Sequence, residues 1–230
     1  MPEKRLSEER LERYSAEVGR RLASVRERIA RAGGDIDAVT VVAVTKTFGL
    51  DAVVAAYRAG ITDIGENYAD ELVQKATALA REIPGRPIRW HFLGEIQRNK
   101  INRMRNLVGL YEGLDRYEEG EAIAQRSPGA AVLVEVDTTQ TPGRGGVAVT
   151  AVPALVDRLR GLDLRVEGLM TVAPPGGGER AVRAFRSVTT LRAELGLRVA
   201  SMGMSEDLEL GVAEGSTMIR VGRALFGPRP

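Results

Sequence analysis

The stretch Val39-Thr40-Val41-Val42-Ala43-Val44-Thr45-Lys46 decides how the rest of the chain is read. It is a continuous apolar, mostly β-branched run, which predicts a strand buried on both faces, as in a parallel sheet covered by helices. Its last residue breaks the pattern. The chain uses arginine for nearly all of its positive charge, and its only lysines are Lys4, Lys46, Lys75 and Lys100. The other three lie among polar residues, whereas Lys46 closes an apolar strand. Arginine keeps its proton and forms no imine, but a desolvated lysine can be neutral and nucleophilic. Lysine at this one place points to amine chemistry, against the plainer reading of a side chain that snorkels to solvent.

Outward from this strand, the pattern alternates. Before it, Ser7 with Glu8 and Glu9 starts a helix over 7–32 whose apolar stripe is Leu11, Val18, Leu22, Val25 and Ile29; Gly33-Gly34 stops it. After it, strands are predicted at 61–65, 88–93, 107–110, 131–136, 164–170, 198–202 and 218–221. Helices are predicted at 50–59, 68–81, 97–104, 116–125, 148–159, 179–195 and 206–213. Eight strands in unbroken alternation with helices predict α/β architecture with a parallel sheet. The first strand is followed by Thr45-Lys46-Thr47-Phe48-Gly49 rather than the glycine-rich turn of a dinucleotide-binding open sheet. A closed (β/α)8 TIM-type barrel over 39–227, preceded by the extra N-terminal helix in a single domain of residues 1–230, is therefore the expectation.

Composition narrows the function. The chain has 230 residues, a net charge of +2 with no basic block, no cysteine and a single histidine, His91. Disulfides, thiolate metal sites and histidine metal clusters are excluded, and a nucleic-acid partner has no support. No run is long enough to span a membrane and the charged N-terminus lacks a signal-peptide core, so a cytoplasmic monomer is expected.

In such a barrel the site is built from the C-terminal ends of the strands. Those ends carry Lys46; Gly65-Glu66-Asn67; His91 and Gly94; Glu135 and Asp137; Met170; Ser201-Met202-Gly203; and Arg220-Val221-Gly222. The loops after the last two strands, Ser201–Ser205 and 222–227, suggest an anion site. Arg220 is expected either to pair with Glu135 or Asp137, or to face a ligand's ring nitrogen or carboxylate. His91 reads as a buried structural histidine, and Tyr68 as the remaining acid–base candidate.

Taken together, the segments 42–47, Gly65-Glu66-Asn67-Tyr68, Trp90–Gly94 with Gln97, Asn99 and Lys100, Gly168-Leu169-Met170, 201–205 and 215–227 resemble the pyridoxal-phosphate homeostasis proteins, single-barrel relatives of the alanine racemase N-terminal domain. The resemblance runs through nearly the whole chain in order. It implies that Lys46 holds pyridoxal 5′-phosphate as an internal aldimine and that Arg220 faces the pyridine nitrogen. It further implies that Ser201, Met202 and Gly203, with Gly222 and Arg223, cradle the phosphate, and that Asn67 lies on the cofactor's rim. Arg223 departs from the threonine usual in the family, and the 138–146 loop from its serine- and lysine-rich version.

An arginine at the ring nitrogen weakens the cofactor's electron sink. The chain also ends just after the barrel, where the related racemases continue into a domain that supplies a second acid–base group. The expected role is thus a non-catalytic carrier or regulator in vitamin B6 homeostasis, with cofactor-dependent apo-enzymes as partners. Two alternatives stand beside it: a true pyridoxal-phosphate racemase or lyase using Tyr68 or His91, and an aldolase-type barrel in which Lys46 bonds a sugar phosphate without a cofactor.

Overall fold

The structure, a computed structural model, describes residues 5–82, 85, 88–139 and 144–228. It opens with α1 (Glu8–Arg31), which carries Glu8 and Glu9 in its first turn and Arg28 and Arg31 in its last, each favoured by the helix dipole. Its apolar stripe is buried as expected. There follow β1 (Thr40–Val44), α2 (Leu50–Arg58), β2 (Asp63–Glu66), α3 (Ala69–Glu82), β3 (Arg89–Phe92), α4 (Ile101–Met104) and β4 (Val108–Leu114). The second half contains α5 (Tyr117–Arg126), β5 (Ala130–Asp137), β6 (Val147–Ala148), α6 (Val152–Arg160), β7 (Leu164–Met170), α7 (Gly178–Glu194), β8 (Val199–Ser201), α8 (Leu208–Ala213), β9 (Met218–Val221) and α9 (Arg223–Phe226).

The strands run parallel in the order β4-β3-β2-β1-β9-β8-β7-β5-β6, and a further β4–β5 pairing closes eight of them into a (β/α)8 barrel. β6 hangs on the edge of β5 outside that closure. Alternate residues of each strand point inward. Val42, Leu110, Ala131, Leu133, Met170 and Met218 fill the barrel, while a larger apolar cluster packs between strands and helices. β1 pairs with β9 in a register that sets Val42 beside Arg220 and Ala43 beside Val221. The last strand therefore sets Arg220 level with Val42, four residues before Lys46 along the first.

The expected helix over 97–104 is realised only in its last turn, α4. Residues 97–100 form a turn instead, closed by Lys100 N donating to Gln97 O at 2.9 Å. The helix expected from 148 begins as a short 3-10 turn over Val149–Ala151. Among the described residues, no helix is long and apolar enough to cross a membrane.

Candidate functional site

A cavity of about 330 Å³ opens at the C-terminal ends of the strands. Val44, Lys46, Asn67, Leu93, Glu135, Met170 and Arg220 line its barrel side, and Met204–Asp207 with Gly222 and Arg223 line its other end. Parity explains the first group: Val42, Val44 and Lys46 on β1 and its continuation share the inward face, as do Met218, Arg220 and Gly222 on β9. Lys46 is partly exposed in the cavity wall rather than buried. Asn67 leaves its Oδ1 buried without a hydrogen-bond partner. The loop carrying it is seated against the β3 end, where a Cβ at Gly94 would lie 2.0 Å from Asn67 O; only glycine admits that approach.

Arg220 is 5% exposed and rigidly held. Its Nη1 donates to Ser201 O and Ser201 Oγ, both at 2.7 Å, and its Nη2 to Thr171 O at 2.8 Å. Its acidic neighbour is Glu112, 4.0 Å away, and not the expected direct partner Glu135 or Asp137. Ser201 Oγ in turn donates to Glu112 Oε2 at 2.6 Å; Glu112 Oε1 meets His91 Nδ1 at 2.6 Å, and His91 Nε2 meets Asp63 Oδ1 at 2.9 Å. Burial alone would lower the His91 imidazolium, but its hydrogen bonds to Asp63 and Glu112 outweigh that and raise it. Burial likewise pushes the Glu112 carboxyl up, but His91 and then Arg220 and Ser201 hold it below the usual carboxylate range. His91 is thus a structural residue in a buried ionic chain and lines no part of the cavity. Tyr68 points to solvent, 56% exposed.

Glu135, on the inward face of β5, is the acid of the cavity's barrel side. Burial pushes its carboxyl up to about 7, although Arg220 opposes the shift.

Of the residues expected to cradle a phosphate, only some reach the cavity wall. Ser201, Met202 and Gly203 do not line the cavity. Ser201 spends its hydroxyl on Glu112, the Met202 side chain faces the outer core, and Gly203 is packed against Leu208 and Gly211. The segment shifts by a few residues: Met204–Asp207 faces the cavity instead, its turn closed by Asp207 Oδ1 accepting from Met204 N at 2.6 Å. Gly222 and Arg223 do reach it. A Cβ at Gly222 would crowd Val44 O at 3.1 Å. The Arg223 guanidinium shares its charge with Glu206 at 2.6 Å. From outside, α1 braces both loops: Arg28 donates to Ser205 O at 3.0 Å and Arg21 to Leu225 O at 3.2 Å.

Two charged groups escaped the sequence reading. Glu112 lies inside the apolar run Leu110–Leu114, the same kind of anomaly as Lys46, but the expected strand stopped at 110. Lys75, read as a lysine in polar surroundings, is the buried one, 7% exposed and paired with Glu66 and Glu71. Lys4 and residues 140–143 of the 138–146 loop lie outside the described residues.

Residues 21–230 match the family described as alanine racemase, N-terminal domain. The chain is 36% identical over 216 residues to the pyridoxal phosphate homeostasis protein of Pseudomonas aeruginosa, covering 90% of this chain and 92% of that protein. It is 38% identical over 209 residues to the protein of that name from Deinococcus radiodurans, covering 89% and 97%. Among solved structures it is similar to PipY of Synechococcus elongatus with PLP bound, at a TM-score of 0.80 and 30% identity over 91% of this chain and 100% of that one. Alanine racemase from E. faecalis, at 19% identity and a TM-score of 0.73, shares the fold; this chain spans 59% of its length.

Proposed function

The chain belongs to the pyridoxal phosphate homeostasis proteins, within the alanine racemase N-terminal domain family, and from that membership we propose that it binds pyridoxal 5′-phosphate through Lys46 and serves the homeostasis of that cofactor rather than amino-acid turnover. The supporting observation is the donor set of one cavity: a primary amine, a fixed guanidinium and a glycine-and-arginine loop all line it. The residues fit the group. The unpartnered Asn67 Oδ1 calls for a donor on whatever fills the cavity, and Gly222 keeps the space in front of Val44 O open.

When bound, this cofactor supplies an aldehyde for a primary amine and, if its ring nitrogen is protonated, an electron sink. Lys46 provides the amine. Arg220 has both Nη1 hydrogens committed to Ser201 and keeps donor capacity on Nη2 and Nε for an acceptor in the cavity. A guanidinium does not give up its proton, so Arg220 maintains a ring nitrogen as an acceptor and suppresses carbanion chemistry. The backbone of Ser205, Glu206, Gly222 and Arg223, with the shared Arg223 charge, holds the phosphate end. This reading extends to cofactor-dependent apo-enzymes as recipients, with an incoming amine displacing Lys46.

The test is the absorbance spectrum of the purified protein beside that of Lys46→Ala. A near-visible band present in the first and lost in the second supports the reading; identical spectra overturn it. One observation favours a second reading, a pyridoxal-phosphate racemase or lyase: Glu135, not Tyr68 or His91, places a carboxyl that titrates near neutrality in the cavity wall. Exchange of amino-acid α-protons with solvent, above the rate of free cofactor and lost in Glu135→Gln, would establish it.

A further inference from the structure

Lys46 sits in a turn between two hollows. On one side is the cavity already described; on the other is a second opening of about 550 Å³ lined by Thr47, Phe48, Gly49, Leu50, Glu71 and Lys75 among others. Phe48 faces both. Phe48 N donating to Thr45 O at 3.0 Å closes the turn and Phe48 packs on Phe226, ring centroids 5.3 Å apart; a charged cluster adds a second hold. Lys75 Nζ, on α3, donates to Thr45 O at 2.8 Å, Glu66 Oε1 at 2.7 Å and Glu71 Oε2 at 3.0 Å. Thr45 Oγ1 donates to the same Glu66 oxygen at 2.6 Å, and Thr47 N donates to Glu71 Oε2 at 3.0 Å. The residue before Lys46 and the residue after it are thereby held by one cluster. Thr47 is also in the left-handed region at φ 66°, the single non-glycine residue so placed among those described, a conformation that persists only where the surroundings impose it.

None of Lys75, Glu66 and Glu71 lines the cofactor cavity. Replacing a buried pair such as Lys75–Glu66 by well-packed apolar side chains of the same volume is often neutral or stabilising, so stability is a weak account of it. We propose that Lys75, Glu66 and Glu71 are positioning residues for Lys46, clamping the backbone on both sides of it so that its amine approaches the cofactor aldehyde in one orientation. The inference rests on the proposed attachment through Lys46. That attachment would replace the aldehyde's C=O double bond by a C=N double bond to Lys46 Nζ, the oxygen leaving as water with both hydrogens of the neutral amine. All three Lys75 ammonium hydrogens are engaged, so the clamp itself offers no competing amine.

The test uses the full chain, freed of cofactor, mixed with pyridoxal 5′-phosphate. The rate of capture is read from the near-visible band, and the site from borohydride reduction and peptide mass. Affinity for 4′-deoxypyridoxine phosphate, which lacks the aldehyde, reads the rest of the cavity. Glu71→Ala removes the acceptor for Thr47 N, Glu71→Gln keeps one, and Lys75→Met removes the hub. The expected result is capture at Lys46 slowed about tenfold in Glu71→Ala, near what loss of one charge-assisted hydrogen bond implies, and largely restored in Glu71→Gln. Affinity for the deoxy analogue should stay within about twofold, with melting confirming a folded protein. Glu71 is partly exposed, so its variants carry the test if Lys75→Met does not fold. Capture by Glu71→Ala at the wild-type rate, or a loss of analogue affinity in proportion to the loss of rate, overturns the clamp. Failure of the wild-type chain to be trapped at Lys46 overturns the cofactor reading instead.

Discussion

Glu135 sits in the cavity wall with its carboxyl pushed up to about 7 by burial. The folded state therefore keeps a proton up to about pH 7 that the unfolded chain releases near the ordinary glutamate value, and stability falls as pH rises across that window. Glu135→Gln removes the titration. In the cofactor-free protein it should gain on the order of 2 kcal/mol over wild type at pH 8 and nothing at pH 4, read from urea midpoints at the two values. A constant difference at both would mean that the carboxyl titrates normally. Individual residues were legible wherever parity and strand ends determine position: Lys46, Asn67, Arg220, Gly222 and Arg223 all reach the cavity. Ser201, Met202 and Gly203 did not follow: Ser201 faces into the barrel but is taken up by Glu112 and Arg220, and Met202 turns to the outer core. Lys75 was hidden for another reason. Its place on the buried stripe of α3, with Leu72, Ala76 and Leu79 at helical spacing, signals the face, but nothing local signals that this face meets the Thr45 turn.

At the scale of elements, α1 offers the cleanest test. Gly19 lies inside it, and a Cβ there would meet nothing within 4 Å. Glycine in a helix interior costs about 1 kcal/mol relative to alanine. Gly19→Ala should raise stability by about that amount without altering cofactor capture; a loss of stability in urea would show that the position is more crowded than it looks. The barrel strands and major helices were legible because period-two and helical patterns repeat over many residues. Short elements were not: β6 has two residues and α9 four, too few for any period to register. The 97–104 segment failed in the opposite sense. Its polarity suited a solvated helix face, but only 101–104 has buried anchors, Ile101 and Met104, to hold a turn of helix.

Over the whole molecule, Asp63, His91, Glu112, Ser201 and Arg220 join five strands in one hydrogen-bonded chain, from the entry end of β2 to the cavity. Each strand contributes one member, so no spacing in the sequence discloses it. His91, raised above its ordinary value, contributes stability that is present below the unfolded histidine value and lost as pH rises through the folded one. His91→Gln leaves Glu112 buried without a cationic neighbour on that side. It should cost roughly 3 kcal/mol where the wild-type imidazole is charged, and less once the pH has risen above its raised folded value. Urea midpoints measured across rising pH check this; a cost that never falls would show that loss of the imidazole's charge does not set it.

The pairing of β1 with β9 also sets a clock. Lys46 lies on the rim of the first strand to be synthesised and Arg220 on the last, and the barrel has no floor between them until both are present. At roughly 5–20 residues per second, translation leaves the amine waiting about 10–35 s for its guanidinium neighbour. A nascent chain thus carries the lysine for most of its synthesis without the cavity that would direct an aldehyde to it. The cavity can discriminate among aldehydes only once the barrel has closed.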